Sequence, residues 1–147
     1  MSVLVDTGVF YAPHDTDASR HETGTAALNA VLRSPEYGHV MTSDYIYDEA
    51  VTLTQRRTGD VEAGLEIGRR IRGEGYPSAI ELLHSSQTLF DRAVAIQEEY
   101  AEHRLSFTDA MTAAHVEHHE IDSVLSFDDD FDGVVTRLVP STLSSGE

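Results

Sequence analysis

Carboxylate side chains follow or interrupt apolar segments at four separate places along this chain. Asp6 comes directly after the apolar run VLV, and Asp128 comes directly after SVLSF. Glu49 lies inside the segment DYIYDEAVTL, and Asp109 follows Ser-Phe-Thr. If these segments meet, the carboxylates raise each other's pKa unless a cation lies between them. Mg²⁺ and Mn²⁺ prefer carboxylate and water oxygens, so such a cluster would suit a hard divalent ion.

Each of these acids also has an ordinary structural role when it is considered alone. Asp6 can cap a turn or the next helix, and Glu49 can be a solvated residue of a helix. Asp109 completes a Ser-x-x-Asp capping pattern, and acids favour the first turn of a helix. The run Asp128–Asp130 can be a solvated acidic turn. The order and spacing of the whole set, rather than any single member, favour a functional site.

Short apolar segments typical of strands alternate along the chain with amphipathic segments typical of helices. The predicted strands are SVLV, GHVMTS, SAIELLH, DSVLSF and, as a possible fifth, VTRLV. The predicted helices are HETGTAALNAVLR, DYIYDEAVTLTQRRTG, DVEAGLEIGRRIRGEG, SQTLFDRAVAIQEEYAEH and SFTDAMTAAHVEHHEI. This alternation predicts a three-layer α/β/α fold with a mainly parallel central sheet of four to five strands. Such sheets bind ligands at the carboxyl ends of their strands, where Asp6 is expected to lie.

Length and composition predict one soluble domain. The chain has 147 residues and no cysteine, which excludes disulfides, thiolate metal sites and cysteine nucleophiles. We expect a single domain over residues 1–140 and a short polar tail over 141–147. The start of the chain does not resemble a signal peptide, and no apolar run approaches the roughly 18 residues of a membrane span. A cytoplasmic protein that does not bind membranes is therefore expected.

The charge of the chain is strongly negative. The formal net charge is −16, and all ten basic residues apart from histidine are arginine. An acidic chain repels nucleic acid in dilute buffer. Acidic, lysine-free compositions also resemble those of halophilic proteins, because concentrated salt shortens the Debye length to about 3 Å and screens self-repulsion. We therefore expect the acidity to reflect a salt-rich cytoplasm rather than the ligand.

The acidic motifs together resemble those of the PIN-domain ribonucleases, and particularly the VapC toxins of type II toxin–antitoxin systems. The resemblance extends over VLVDTGVFYA, TSDYIYDEAVTLTQRR and LSFTDAMTAAHVEHHEIDSVLSFDDDFDGV. It implies a PIN-like fold in which Asp129 points away from the metal. The catalytic and metal-binding residues that it implies are Asp6, Glu49, Asp109 and Asp128, with Asp130 as an additional metal ligand and Thr7 and Ser126 as supporting hydroxyls.

The resemblance also implies a function. One or two Mg²⁺ or Mn²⁺ ions would activate a water molecule for endonucleolytic cleavage of RNA. A small antitoxin protein would be the partner, and the chain would form a homodimer through helices of its first half. Two alternatives remain within the family: a housekeeping RNA-processing nuclease, and a non-catalytic PIN module that binds RNA or a protein. A phosphotransfer protein with Asp6 as nucleophile fits poorly, because Gly8 replaces the second Asp of an Asp-x-Asp motif and lysine is absent.

The sequence has three further notable features: a histidine-rich segment, two phenylalanines near the acidic motifs, and a group of arginines. The segment HVEHH, residues 115–119, is expected to present exposed histidines, although His115 and His119 could bind a softer metal. Phe107 and Phe131 are expected to pack around the site. Arginines beyond those paired with acids could steer RNA or receive an acidic antitoxin segment. The cluster in question is Arg56, Arg57, Arg69, Arg70 and Arg72, of which about half are expected to be solvated or paired with acids, and Arg104 could separately contact a phosphate.

Overall fold

The computed structural model describes residues 1–144. The strands are β1 (Ser2–Val5), β2 (His39–Ser43), β3 (Glu81–Leu83), β4 (Ser123–Leu125) and β5 (Arg137–Leu138). The α-helices are α1 (Thr7–Tyr11), α2 (Ala18–Arg33), α3 (Asp44–Thr58), α4 (Val61–Ile71), α5 (Gln87–Glu99), α6 (Phe107–His119) and α7 (Pro140–Ser144). Short 3₁₀ turns cover Ala12–His14, Ala101–His103 and Asp129–Phe131.

The five strands form one sheet in the order β3-β2-β1-β4-β5, and every pairing is parallel. β1 is central, and its apolar residues Val3, Leu4 and Val5 are fully buried, as expected for a strand covered on both faces. After β1 the chain builds β2 and β3 on one side and then crosses to build β4 and β5 on the other. Strand order therefore reverses at β1, and such a reversal opens a crevice beyond the carboxyl ends of the strands.

Side-chain caps fix the starts of the five long helices. Each cap oxygen accepts a backbone N–H from the first turn, which satisfies a donor that the helix itself leaves unpaired. The capping residues are Asp17 for α2, Ser43 for α3, Asp60 for α4, Ser86 for α5 and Ser106 for α6.

The predicted alternation of strands and helices is confirmed, with differences at the ends of elements. The segment after Asp6 forms the short helix α1, which is not among the helices predicted from the sequence. Helix α2 begins at Ala18, earlier than predicted, because Asp17 accepts hydrogen bonds from Ser19 N–H (2.9 Å) and Arg20 N–H (3.3 Å). The predicted tail over 141–147 lies partly outside the described residues, and its described part belongs to α7.

Small residues allow the helices around the site to pack closely. Helix α4 contacts α3 through Gly64 and Gly68, and a Cβ at Gly64 would lie 2.5 Å from Gln55 Cγ. Alanines of α6 pack against α5 in a cluster that is separate from the main core. Within residues 1–144, none of the helices combines the length and the apolar character needed to cross a membrane.

Candidate active site: a carboxylate cleft at the sheet edge

Asp6 is held rigidly at the carboxyl end of β1. Its backbone N–H donates to the carbonyl oxygen of Leu125 in β4 (3.0 Å), and the Thr42 hydroxyl donates to the carbonyl oxygen of Val5 (2.9 Å). Both neighbouring strands therefore fix the chain where the strand ends. The Asp6 side chain is only 7% exposed, although it is a carboxylate.

Two hydroxyl groups orient the acids next to β1. The Ser126 hydroxyl donates to Asp6 Oδ2 (2.7 Å) and accepts the backbone N–H of Asp128 (2.9 Å), so one buried serine links the Asp6 carboxylate to the backbone of Asp128. The Arg137 guanidinium donates to the Ser126 carbonyl oxygen (3.1 Å) and fixes this turn from β5. Thr7 donates to Glu49 Oε1 and so connects α1 to α3. Thr7 and Ser126 thus contact acids of the predicted set.

Asp109 combines both roles that the sequence left open. Its backbone N–H donates to Ser106 Oγ (3.0 Å), and its Oδ2 accepts the Ser106 N–H (3.3 Å), which forms a complete capping box. Its carboxylate also lines the same cleft as Asp6. The cap uses Oδ2, and Oδ1 accepts no hydrogen bond from the described residues. The capping geometry therefore directs this acid into the cleft.

The carboxylates line one open cleft of about 560 Å³. Its acidic residues are Asp6, Asp15, Glu49, Asp109, Asp128 and Asp129. Asp129, which was expected to point away, is among them, whereas Asp130 is not. The chain forms a 3₁₀ turn over Asp129–Phe131, and the Asp130 N–H donates to Asp128 Oδ1 (2.9 Å). Carboxylate oxygens of Asp128, Asp129 and Asp130 can still lie within 4.8 Å of one another.

Burial and mutual repulsion perturb the acids at the bottom of the cleft. Burial raises the pKa of Asp6 from 3.8 to about 6, against the hydrogen bonds from Ser126 and Thr7, and the charges of Glu49 and Asp128 raise it further. Burial also raises the pKa of Asp109 from 3.8 to about 7, and the charges of Asp6 and Asp128 add to this effect. Perturbed acids that face one another in a cleft are typical of functional sites.

The donor set fits a hard divalent cation. Asp6 is buried without an ion-pair partner among residues 1–144, and five further carboxylates line the same cleft. A group of this kind is costly without a cation and favourable around one. Oxygen donors with no thiolate and no histidine in the lining suit Mg²⁺ or Mn²⁺ better than zinc.

A second cavity, of about 250 Å³, does not have this chemistry. It lies between α1, α2 and α4, and Phe10, Ile67 and Tyr76 contribute to its walls. Its one carboxylate, Glu66, is paired with Arg70 at 3.6 Å. It therefore lacks the oxygen donors that the carboxylate cleft offers.

The histidine segment on α6 is a structural feature, and the expectation of an exposed face is wrong for its first member. His115 is fully buried, with Nε2 2.9 Å from Ser85 Oγ, while His118 and His119 are exposed. The Ser85 hydroxyl donates to Asp44 Oδ1 (2.7 Å), so the Ser85 oxygen accepts the His115 N–H. Burial and the nearby His119 lower the pKa of His115 to about 4, which keeps it neutral. This network joins α3, α6 and the segment after β3.

The aromatic residues expected around the site lie close to it. Phe131 is fully buried beneath the acidic turn. Phe107, next to the cap Ser106, packs against the rings of Tyr45 and Phe90 with centroid distances of 5.8 and 5.0 Å. Both therefore support the elements that carry the acids.

Two arginines, Arg20 and Arg57, also line the cleft, and the sequence did not predict that they lie there together. Arg57 belongs to the arginine cluster for which the sequence predicts contacts with RNA or an antitoxin, whereas Arg20 lies outside that cluster. Of the remaining arginines, Arg69 pairs with Glu62, and Arg104 is exposed outside the cleft. The sequence carries no signal for Arg20, because its position depends on how α2 packs beside the turn after β4.

Comparison with known proteins identifies the family. Residues 3–135 match the PIN domain, whereas no curated protein matches the chain significantly. Among solved structures, the chain is similar to the Mycobacterium tuberculosis toxin VapC20, which is described as cleaving the sarcin–ricin loop. The two sequences are 25% identical, and the structures align with a TM-score of 0.74 over 88% of this chain and 92% of that chain.

Two further structures share the fold. A toxin–antitoxin complex from Klebsiella pneumoniae has 16% identity and a TM-score of 0.61 over 95% of this chain and 98% of that chain. FitAB bound to a DNA fragment has 18% identity and a TM-score of 0.59 over 95% of both chains. The match to the family covers most of the sequence and includes all four acidic segments. The chain belongs to the PIN domain family.

Proposed function

We propose that this protein is an endoribonuclease that depends on Mg²⁺ or Mn²⁺ and acts as the toxin of a toxin–antitoxin pair in the cytoplasm. The observation that carries this proposal is the convergence of carboxylates from four separate segments on one cleft, with Asp6 buried and without a cationic partner. Such a cluster is unfavourable by itself and useful around a metal.

The residues of the cleft would have different roles in the reaction. Asp6, Glu49 and Asp128 would hold the metal, with Asp130 as a further ligand if the acidic turn rearranges. The metal, when bound, would neutralise charge on the scissile phosphodiester and lower the pKa of a water molecule. Ser126 orients the Asp6 carboxylate with one hydrogen bond and holds the backbone of Asp128 with the other.

Asp109 is the acid best suited to move a proton. In the metal-free cleft, burial and the charges of Asp6 and Asp128 raise its pKa to about 7, so it takes up a proton more readily than an exposed carboxylate does. Because Ser106 holds Oδ2, the free Oδ1 is the atom that would accept the proton of the attacking water.

Cleavage assays with matched variants test the nuclease proposal. We would compare the wild type with Asp6→Asn, Asp109→Asn and the exposed control Asp91→Asn, at molar KCl with Mg²⁺, Mn²⁺ or EDTA. We expect metal-dependent cleavage by the wild type and the control, and a loss of at least about a hundredfold in the two cleft variants. Cleavage that persists in EDTA, or full activity of both cleft variants, would contradict the proposal.

The choice of RNA addresses the toxin assignment. Because VapC20 is described as cleaving the sarcin–ricin loop, a hairpin with that loop and an unrelated hairpin of equal length are the first substrates to compare. Inhibition of cleavage by the product of an adjacent small gene would support the toxin assignment. Cleavage that such a protein does not affect would favour a housekeeping nuclease.

Assembly and salt requirement are part of the same proposal. Helix α4 exposes Val61 (62%) and Leu65 (44%), an apolar face that suits the homodimer expected through the first half of the chain. The net charge of −16 leads us to propose that concentrated salt is the working environment.

A further inference from the structure

Two guanidinium groups lie in a cleft otherwise dominated by acids. Arg20 projects from the first turn of α2, whose start is fixed by the Asp17 cap. Arg57 projects from the last turn of α3, the helix that carries Glu49. Within residues 1–144 these two are the only arginines that line the cleft. They reach it from two different walls, the α2 wall beside Asp128 and the α3 wall beside Glu49.

Neither arginine is used to neutralise a carboxylate. Four arginines, Arg69, Arg70, Arg92 and Arg137, each pair with an acid, whereas Arg20 and Arg57 form no ion pair with any described residue. Their charges are therefore uncommitted although they border the most acidic region of the surface.

Aromatic rings hold both guanidinium groups in place instead. Arg20 Cζ lies 5.0 Å from the centroid of the Phe127 ring, and Arg57 Cζ lies 5.4 Å from that of the Tyr11 ring. A ring supports the flat face of a guanidinium and leaves its N–H donors at the edge free. Phe127 and Tyr11 line the cleft as well, and Phe127 directly precedes Asp128. The donors are thus oriented before any ligand arrives.

The ligand that this arrangement suits is a polyanion with spaced phosphates. Free guanidinium donors match the two oxygens of a phosphodiester in a bidentate contact. A chain of charge −16 repels RNA at long range, so local cations are needed to bring the backbone to the acids. We propose that Arg20 and Arg57 bind RNA phosphates on either side of the bond to be cleaved. This inference rests on the proposed nuclease function and names the residues that position its substrate.

Binding and kinetics of three variants test the inference. The variants are Arg20→Gln, Arg57→Gln and their combination, with Arg33→Gln as control because Arg33 is exposed in the last turn of α2 and carries the same charge. Binding of a fluorescein-labelled single-stranded RNA is followed by anisotropy with Ca²⁺ in place of Mg²⁺. Cleavage is measured separately with Mn²⁺, and thermal unfolding confirms that each variant is folded.

We expect each cleft variant to weaken RNA binding and raise KM about tenfold, with a change in kcat of less than about threefold, because phosphate contacts position the substrate. The slope of log Kd against log[KCl] should fall by about 0.7 for each arginine removed, as for phosphate contacts with single strands. Arg20→Lys keeps the charge without the fork and should lie between the wild type and Arg20→Gln.

Specific results would overturn the inference. Variants whose Kd and salt slope equal those of Arg33→Gln would show that the arginines do not contact RNA. Variants that cleave normally but are no longer inhibited by the antitoxin would assign the two arginines to a protein partner instead. A wild type that binds RNA without cleaving it would refute the proposed function alone, since the anisotropy comparison tests the arginines independently.

Discussion

Replacing Asp6 by asparagine should make the metal-free protein more stable while it abolishes RNA cleavage. The Asp6 carboxylate is buried at the end of β1, and burial raises its pKa from 3.8 to about 6. Ionised Asp6 is therefore a cost to the folded state at neutral pH. Asparagine has nearly the same shape, keeps an oxygen that accepts the Ser126 hydroxyl, and carries no charge.

The expected gain follows from the difference between the two pKa values. That difference, 6 minus 3.8 or about 2.2, corresponds to about 3 kcal/mol at pH values above both. Water reaches the open cleft and screens part of this cost, so we expect a gain of about 1–3 kcal/mol. For a chain of this length the melting temperature should rise by roughly 2–10 °C.

The sign of the effect depends on pH. Because the folded state holds the Asp6 proton more tightly than the unfolded state, the contribution of Asp6 is most favourable below pH 3.8 and is lost as the pH rises through about 6. The advantage of Asp6→Asn should therefore be largest near pH 7.5 and should disappear near pH 4.

Thermal unfolding at 2 M KCl in EDTA, from pH 4 to 8, measures this difference. The exposed variant Asp91→Asn is the control for loss of one negative charge, since concentrated salt screens distant charges but does not remove the cost of burial. A less stable Asp6→Asn at pH 7.5, or an equal gain in Asp91→Asn, would refute the reasoning. Excess Mn²⁺ should reverse the order, because metal at a thousandfold excess over Kd stabilises the wild type by about 4.1 kcal/mol.

Three further predictions concern the surroundings of the cleft. Ser126→Ala removes the donor to a ligand carboxylate and should weaken Mn²⁺ binding about tenfold by calorimetry; unchanged affinity would contradict its orienting role. Gly24→Ala should cost about 1–3 kcal/mol in denaturant unfolding, because the new Cβ would lie 2.5 Å from Ala12 Cβ, whereas Gly38→Ala, with open space around it, should change little. By light scattering at high KCl, the wild type should have the mass of a dimer, and the variant Leu65→Asp should have the mass of a monomer. A monomeric wild type would exclude the proposed dimer.

Much of the fold is encoded in local patterns of the sequence. The apolar run of β1 and the caps before the long helices can be read from a few neighbouring residues, and they predict the strand–helix alternation that the structure contains. The short helix α1 escaped prediction because five residues are too few to show a helical period.

The sequence by itself determined which acids are available and in what order, because each follows or lies within a recognisable element. Only the tertiary structure decided which side chains contact one another and which of them line the cleft. It buried His115 against Ser85, brought Asp129 into the cleft, and set Arg20 over Phe127 rather than beside an acid. These outcomes depend on contacts between segments far apart in the chain, and no local pattern of polarity or spacing encodes such contacts.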